Sequence, residues 1–246
     1  MRSGNPALSA KTFDRFDVYE TAQTMTVNGT ATKTFILLVL AVVPAAFTWN
    51  QFQTNPQSAQ LWMWGGVLGG LVLAIITIFK QHWAPVTAPM YAVVEGLFLG
   101  AISAMYNTMF YPGIVFQAIC LTFGTLFSLL ILYQTGWIRA TENFKLGVFA
   151  ATGGIMLVYI LSMVLGILGV SIPMIHGNGL IGIGFSLFVV VIAALNLVLD
   201  FDFIEQGAER GAPKYMEWYG AFGLMVTLVW LYLEILRLLA KLSSRR

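Results

Sequence analysis

Seven uninterrupted apolar runs, at 34–52, 61–79, 86–105, 113–133, 146–169, 179–204 and 215–239, decide what this chain can fold into. Each is close to the roughly 20 residues that an α-helix needs to cross about 30 Å of hydrocarbon. The segments between them reach about a dozen residues at most, too few to form a domain. The predicted fold is therefore all-α: a membrane protein built as a bundle of about seven transmembrane helices. A polar N-terminal segment occupies 1–33, one transmembrane domain 34–240, and a basic tail 241–246. Composition agrees, with 58% of the 246 residues hydrophobic and 10% charged, against roughly 45–50% and 25% in soluble domains.

Topology follows from the flanks. Trp49, Trp62, Trp64, Trp83, Trp137 and Trp218 fall near run ends, where an amphipathic ring suits the headgroup region. Arg2, Lys11, Arg15 and Lys33 precede the first run; the connecting segments then carry none, Lys80, none, Arg139 with Lys145, none, and Arg210 with Lys214. Positive charge gathers on the cytoplasmic side, so the multi-pass chain is predicted with its N-terminus in the cytoplasm. Seven crossings put Lys241, Arg245 and Arg246 outside, against that rule; a last run that re-enters without crossing is the alternative. The first 33 residues lack the pattern of a cleavable signal peptide, so the first helix is expected to direct insertion.

Gly65, Gly66, Gly69 and Gly70 form two overlapping GxxxG pairs, and Gly96, Gly100 and Ala104 a small-residue face, both suited to close helix approach. Cys120, the single cysteine, has no disulfide partner and is expected as a small core residue. His82 and His176 are isolated in connecting segments on opposite sides of the membrane, so they predict no joint metal site. Ser186 lies in GFSLF (184–188), which lacks the second glycine of a nucleophile elbow. A net charge of +2 without a basic patch argues against nucleic acid as a partner.

Chemistry is expected where ionisable side chains lie inside spans, since each costs about 2.5–3.5 kcal/mol at a helix centre. Glu95 sits mid-way along its run, as a cavity-facing acid of an ion path or a protonated acid satisfied by a neighbouring helix. Asp200 and Asp202 end the sixth run, and Asn196 lies one turn before Asp200 on the same face. Asp202 is turned about 200° away, so the two aspartates cannot face one cavity. Glu234 has Arg237 three residues on, an intrahelical ion pair, unless it meets an acid of the sixth helix. Two such buried carboxyls would share a proton and act as a proton-operated latch.

These pieces resemble the Bax inhibitor-1 family. The resemblance rests on the central acid in YAVVEGLFLG (91–100), an Asp ending the sixth helix four residues before Ile204, and LYLEILRLL (231–239). RSGNP (2–6) and TMTVNG (24–29) with Lys33 are similar to its bacterial, YccA-like branch. The resemblance implies a pH-sensitive calcium leak of the bacterial inner membrane, governed by one carboxyl on the sixth helix and one on the last. Carried over by motif, the pH sensor and gate are Asp200 and Glu234, which would also be the Ca2+ ligands. Glu95, Asn196 and Asp202 join the ion path, and the cations able to latch these acids are Lys80 and Arg237. The partners implied are membrane lipid, Ca2+ and H+, with no cofactor. The expectation is not an enzyme: an intramembrane aspartyl protease needs YD and GxGD contexts, which are missing. The alternative is a non-transporting regulator that binds a membrane protease or another membrane protein.

Overall fold

The computed structural model describes residues 24–169 and 177–245. Seven helices carry these: α1 (Val27–Thr54), α2 (Pro56–Phe79), α3 (Ala84–Met109), α4 (Ile114–Gln134), α5 (Glu142–Ile167), α6 (Leu180–Glu209) and α7 (Met216–Ser243), with a 3-10 turn at Gln81–Trp83 leading into α3. All seven spans are long and apolar enough to cross a membrane.

Most helices outrun the apolar runs, because polar residues at their ends are themselves helix-forming or capping. Thr26, Asn55 and Thr141 accept hydrogen bonds from the backbone N–H groups of Gly29, Ser58 and Phe144, satisfying donors that a helix start leaves open. Thus α1 begins inside the segment read as a polar N-terminal arm. α6 continues to Glu209, so only residues 210–215 remain for the turn into α7. α7 continues to Ser243, which places Lys241 inside the helix and not in a tail.

The chain forms two compact units, described over 24–109 with 202–226 and over 110–169, 177–201 and 227–245. In the unit that holds α1, α2 and α3, glycines set the packing. A Cβ at Gly66 would lie 2.7 Å from the Phe98 backbone nitrogen, and one at Gly69 2.9 Å from Val94. Gly96 abuts the Ala41 carbonyl and Pro44, and Gly100 the Ala45 carbonyl and Thr48. No side chain larger than hydrogen fits at these crossings. Gly65 instead faces open space, so of the two overlapping pairs only Gly66, Gly69 and Gly70 are spent on packing.

In this unit the extended residues ahead of α1 return to the α6–α7 turn. Thr24 pairs antiparallel with Pro213, and the Met25 N–H donates to the Ala212 carbonyl at 2.7 Å. Gly211, at φ 65°, supplies the left-handed residue this tight turn needs. Among the described residues six helices lie between the two segments in sequence.

In the other unit, Ile155 of α5 meets Val189 and Ile192 of α6, with Tyr159, Phe185 and Trp230 around them. α4 buries Ile114, Ala118, Thr122 and Leu126, a stripe at every fourth residue. Cys120 lies about 200° from Ala118 on that helix and is exposed. The expectation of a core cysteine is corrected: helical phase puts it on the outward face, with Phe116 and Phe127. Large apolar side chains are exposed along much of α1, α2, α4 and α5, the surface that a bilayer covers.

Candidate functional site

Of four acids set deep in the helices, Glu95, Asp200 and Glu234 are taken inward by the fold. Glu95, 9% exposed, lies on α3 where α2 crosses. A Cβ at Gly70 would stand 2.6 Å from its Oε2, so Gly70 provides the space in which this carboxyl sits. Tyr91, one turn earlier, hydrogen-bonds the carboxyl and sets its ring edge against Phe222 at 5.0 Å between centroids. The acid is thus held by its own helix at a crossing where the opposing chain has no side chain.

Asp202 belongs to the same unit and is half-buried; Gln206, one turn on, donates to its Oδ2 at 2.5 Å. Lys80, expected as a latch cation, holds its ammonium 4.1 Å from the centre of the Trp83 ring.

Asn196, Asp200 and Glu234 lie in the other unit. Residues 196–201 are buried around the full turn of α6, and Asp200 is completely enclosed. Asn196 donates to the Thr152 hydroxyl of α5 at 2.9 Å and to the Ile192 carbonyl at 2.8 Å. The predicted polar stripe of Asn196 and Asp200 therefore faces inward. Asp202, two residues on, is partly exposed.

Glu234 is 2% exposed. Arg237 donates to both its oxygens, at 2.8 and 3.0 Å, and the Tyr159 hydroxyl donates at 2.9 Å. The Arg237 guanidinium also donates to the Tyr159 oxygen at 2.8 Å and lies 5.3 Å from the Tyr159 ring centroid. The carboxylate is therefore neutralised within its own helix and clamped by α5. None of these contacts joins Glu234 to Asp200. One helical turn beyond Arg237, the buried Lys241 donates to the Gly182 carbonyl at 3.0 Å and to the Ser186 hydroxyl at 2.8 Å, both on α6.

A fifth acid is not legible in the sequence. Glu217, fully buried in the first turn of α7, accepts from the Thr26 N–H at 2.9 Å and the Thr26 hydroxyl at 2.8 Å. It pairs with Lys33 and, at 2.9 Å, with Lys214. Its only local sign is an acid in a helix's first turn, which normally reads as exposed dipole compensation.

Among the described residues no group of three or more His, Cys, Asp or Glu gathers around a metal position, so a cation at these acids would be held by one or two carboxyls and neutral oxygens. His82 sits in the 3-10 turn; His176 lies outside the described residues.

A family model described as Bax inhibitor 1 like matches residues 5–244. The chain belongs to that family. No curated protein matches it. Of the stretches that carry the resemblance, 2–6 lies outside the described residues, and 91–100 holds Glu95 with its partner Tyr91. In 24–29, Met25 is buried, Thr26 caps α1, and Gly29 is where a Cβ would run into the Glu217 carboxyl. Lys33 completes that cluster, while 231–239 carries the Glu234–Arg237 pair. These two stretches thus each supply residues to a polar cluster, one in each compact unit.

Proposed function

We propose that this protein is a passive, pH-sensitive cation leak with Ca2+ as a permeant ion, gated by Asp200 and Glu234. The observation that carries this reading is the enclosure of Asp200 and Glu234 inside apolar spans of one unit, with Asn196 extending the α6 stripe. Charges retained at such depth are costly and mark ion or proton paths. Hard cations prefer oxygen ligands, and carboxylates supply both ligand and gate.

Arg237 is the resident counter-ion of Glu234. A proton shared between the two acids, or a cation bound between them, has to displace it. With one proton between them, Asp200 and Glu234 attract and the path is closed. With none, two anions about 4 Å apart repel by about 4 kcal/mol at an effective dielectric near 20, and the helices part unless a cation enters. Flux therefore rises with pH, and protons compete with Ca2+. In the other unit, Glu95 and the half-buried Asp202 are the further ion-path candidates. The setting that fits is a bacterial inner membrane with the N-terminus in the cytoplasm.

The test is Ca2+ entry into dye-loaded vesicles containing the pure protein, followed across pH. Asp200→Asn and Glu234→Gln each flatten the pH dependence, and the double variant adds little, since residues acting as one unit are not additive. Single variants with the wild-type pH profile would refute the pair and leave Glu234 as a partner of Arg237 alone. Vesicles that pass no ions at any pH would leave a regulator of another membrane protein.

A further inference from the structure

Glu234, Arg237 and Lys241 stand at i, i+3 and i+7 on α7, which places them on one stripe of the helix. The first two are tied to Tyr159 of α5, and the third to Gly182 and Ser186 of α6. Together they form a polar column along the last third of α7. It holds two cations for one carboxylate; Lys241 feels repulsion from Arg237 and attraction from Glu234.

Lys241 is the unexpected member. A lysine in the last turn of a spanning helix ordinarily carries its ammonium outward to the headgroups. Here it is 5% exposed and turned toward α6. Helix geometry favours this direction, because Cα–Cβ bonds tilt toward the helix N-terminus, which from the last turn of α7 is back into the span. Enclosing an ammonium is tolerable only where oxygen dipoles replace its water, and the Gly182 carbonyl and the Ser186 hydroxyl do so. Two neutral oxygens converging on one point are also ligands that a free monovalent or divalent cation accepts.

We propose that Lys241 is a tethered plug: its ammonium occupies a cation site built by the Gly182 carbonyl and the Ser186 hydroxyl, and holds the end of the polar column shut to free cations. This deepens the leak reading and rests on it for the flux, but the cation site can be tested separately. The positive charge repels an arriving cation, and its stem fills the space that the cation would need. Anchoring on α6 ties the plug to the helix that carries Asp200.

Two measurements test it. In vesicles, Lys241→Ala passes cations about tenfold faster than wild type. Lys241→Arg, which keeps the charge, stays within about twofold, and propylammonium, which restores the missing stem and charge, slows Lys241→Ala again whereas propanol does not. In detergent, propylammonium chloride raises the melting temperature of Lys241→Ala, but not of wild type, relative to sodium chloride at the same ionic strength. Unchanged flux in Lys241→Ala, with a conducting wild type, overturns the plug, as does equal rescue by propanol. If no variant conducts, the leak reading fails, and the melting experiment alone decides the cation site: selective stabilisation supports it, and equal response of the two proteins overturns it.

Discussion

Replacing Glu217 with Gln tests whether a buried carboxylate, and not the packing around it, closes the turn between α6 and α7 onto the start of α1. The amide keeps the shape and one acceptor oxygen, so the two bonds from Thr26 are retained in part. The ion pairs are lost, and the new NH2 group opposes an ammonium. Breaking a fully buried pair costs about 3–5 kcal/mol, while exposed pairs are worth about 0–1 kcal/mol. The Lys214 side chain is 44% exposed and belongs near the lower bound; the Lys33 side chain, 17% exposed, lies between the bounds. The expected loss is about 2–3 kcal/mol. At about 2–4 °C per kcal/mol for a chain this long, the melting temperature falls by about 4–12 °C. Thermal unfolding of the purified protein in mild detergent measures this. Gly29→Ala gives an independent reading, because helix propensity alone predicts a gain of about 1 kcal/mol, whereas the added Cβ meets the Glu217 carboxyl and reverses the sign. A Glu217→Gln protein that melts within about 1 °C of wild type, together with a stabilised Gly29→Ala, would refute the reasoning.

Gly70→Ala displaces the Glu95 carboxyl, because the new Cβ stands 2.6 Å from Oε2. It is expected to lower stability by about 1–3 kcal/mol, whereas Gly65→Ala, which meets nothing within 4 Å, is neutral or gains about 1 kcal/mol; equal melting of the two variants would contradict the crossing described. Tyr159→Phe removes one donor from Glu234 and one acceptor from Arg237, and is expected to cost about 1–3 kcal/mol; a chemical-denaturation midpoint equal to wild type would show that Arg237 alone satisfies the carboxylate. A reporter active only in the cytoplasm, fused after Arg246, stays silent if all seven helices cross; strong activity would mean that α7 re-enters.

Some elements could be read directly. The seven spans are legible because hydrocarbon imposes a length and a composition that few other structures share. The shared face of Asn196 and Asp200 follows from one helical turn. The Arg237 partner of Glu234 is local, three residues away on one helix. Cys120 was misjudged because an apolar run has no polar face to reveal its phase: in a span, outward residues are as apolar as inward ones. Tyr159, Ser186 and Lys241 were illegible for a related reason. Their roles depend on which helix faces which, and a hydroxyl or lysine near a span end has an ordinary place at the headgroups.

By itself, then, the sequence determined the number and order of the helices and the partner of Glu234 within one turn. These are properties of a single helix in a hydrocarbon layer, where backbone satisfaction and transfer free energy leave little choice. Only the tertiary structure decided the partners across helices: Glu217 with Thr26 and Lys33; Gly70 with Glu95; Tyr159 with Glu234 and Arg237; Lys241 with Gly182 and Ser186. The hydrophobic effect, which sorts inward from outward in water, does not act between helices in lipid. Interhelical order is set by glycine crossings and by a few polar contacts, and such contacts join residues up to 191 positions apart.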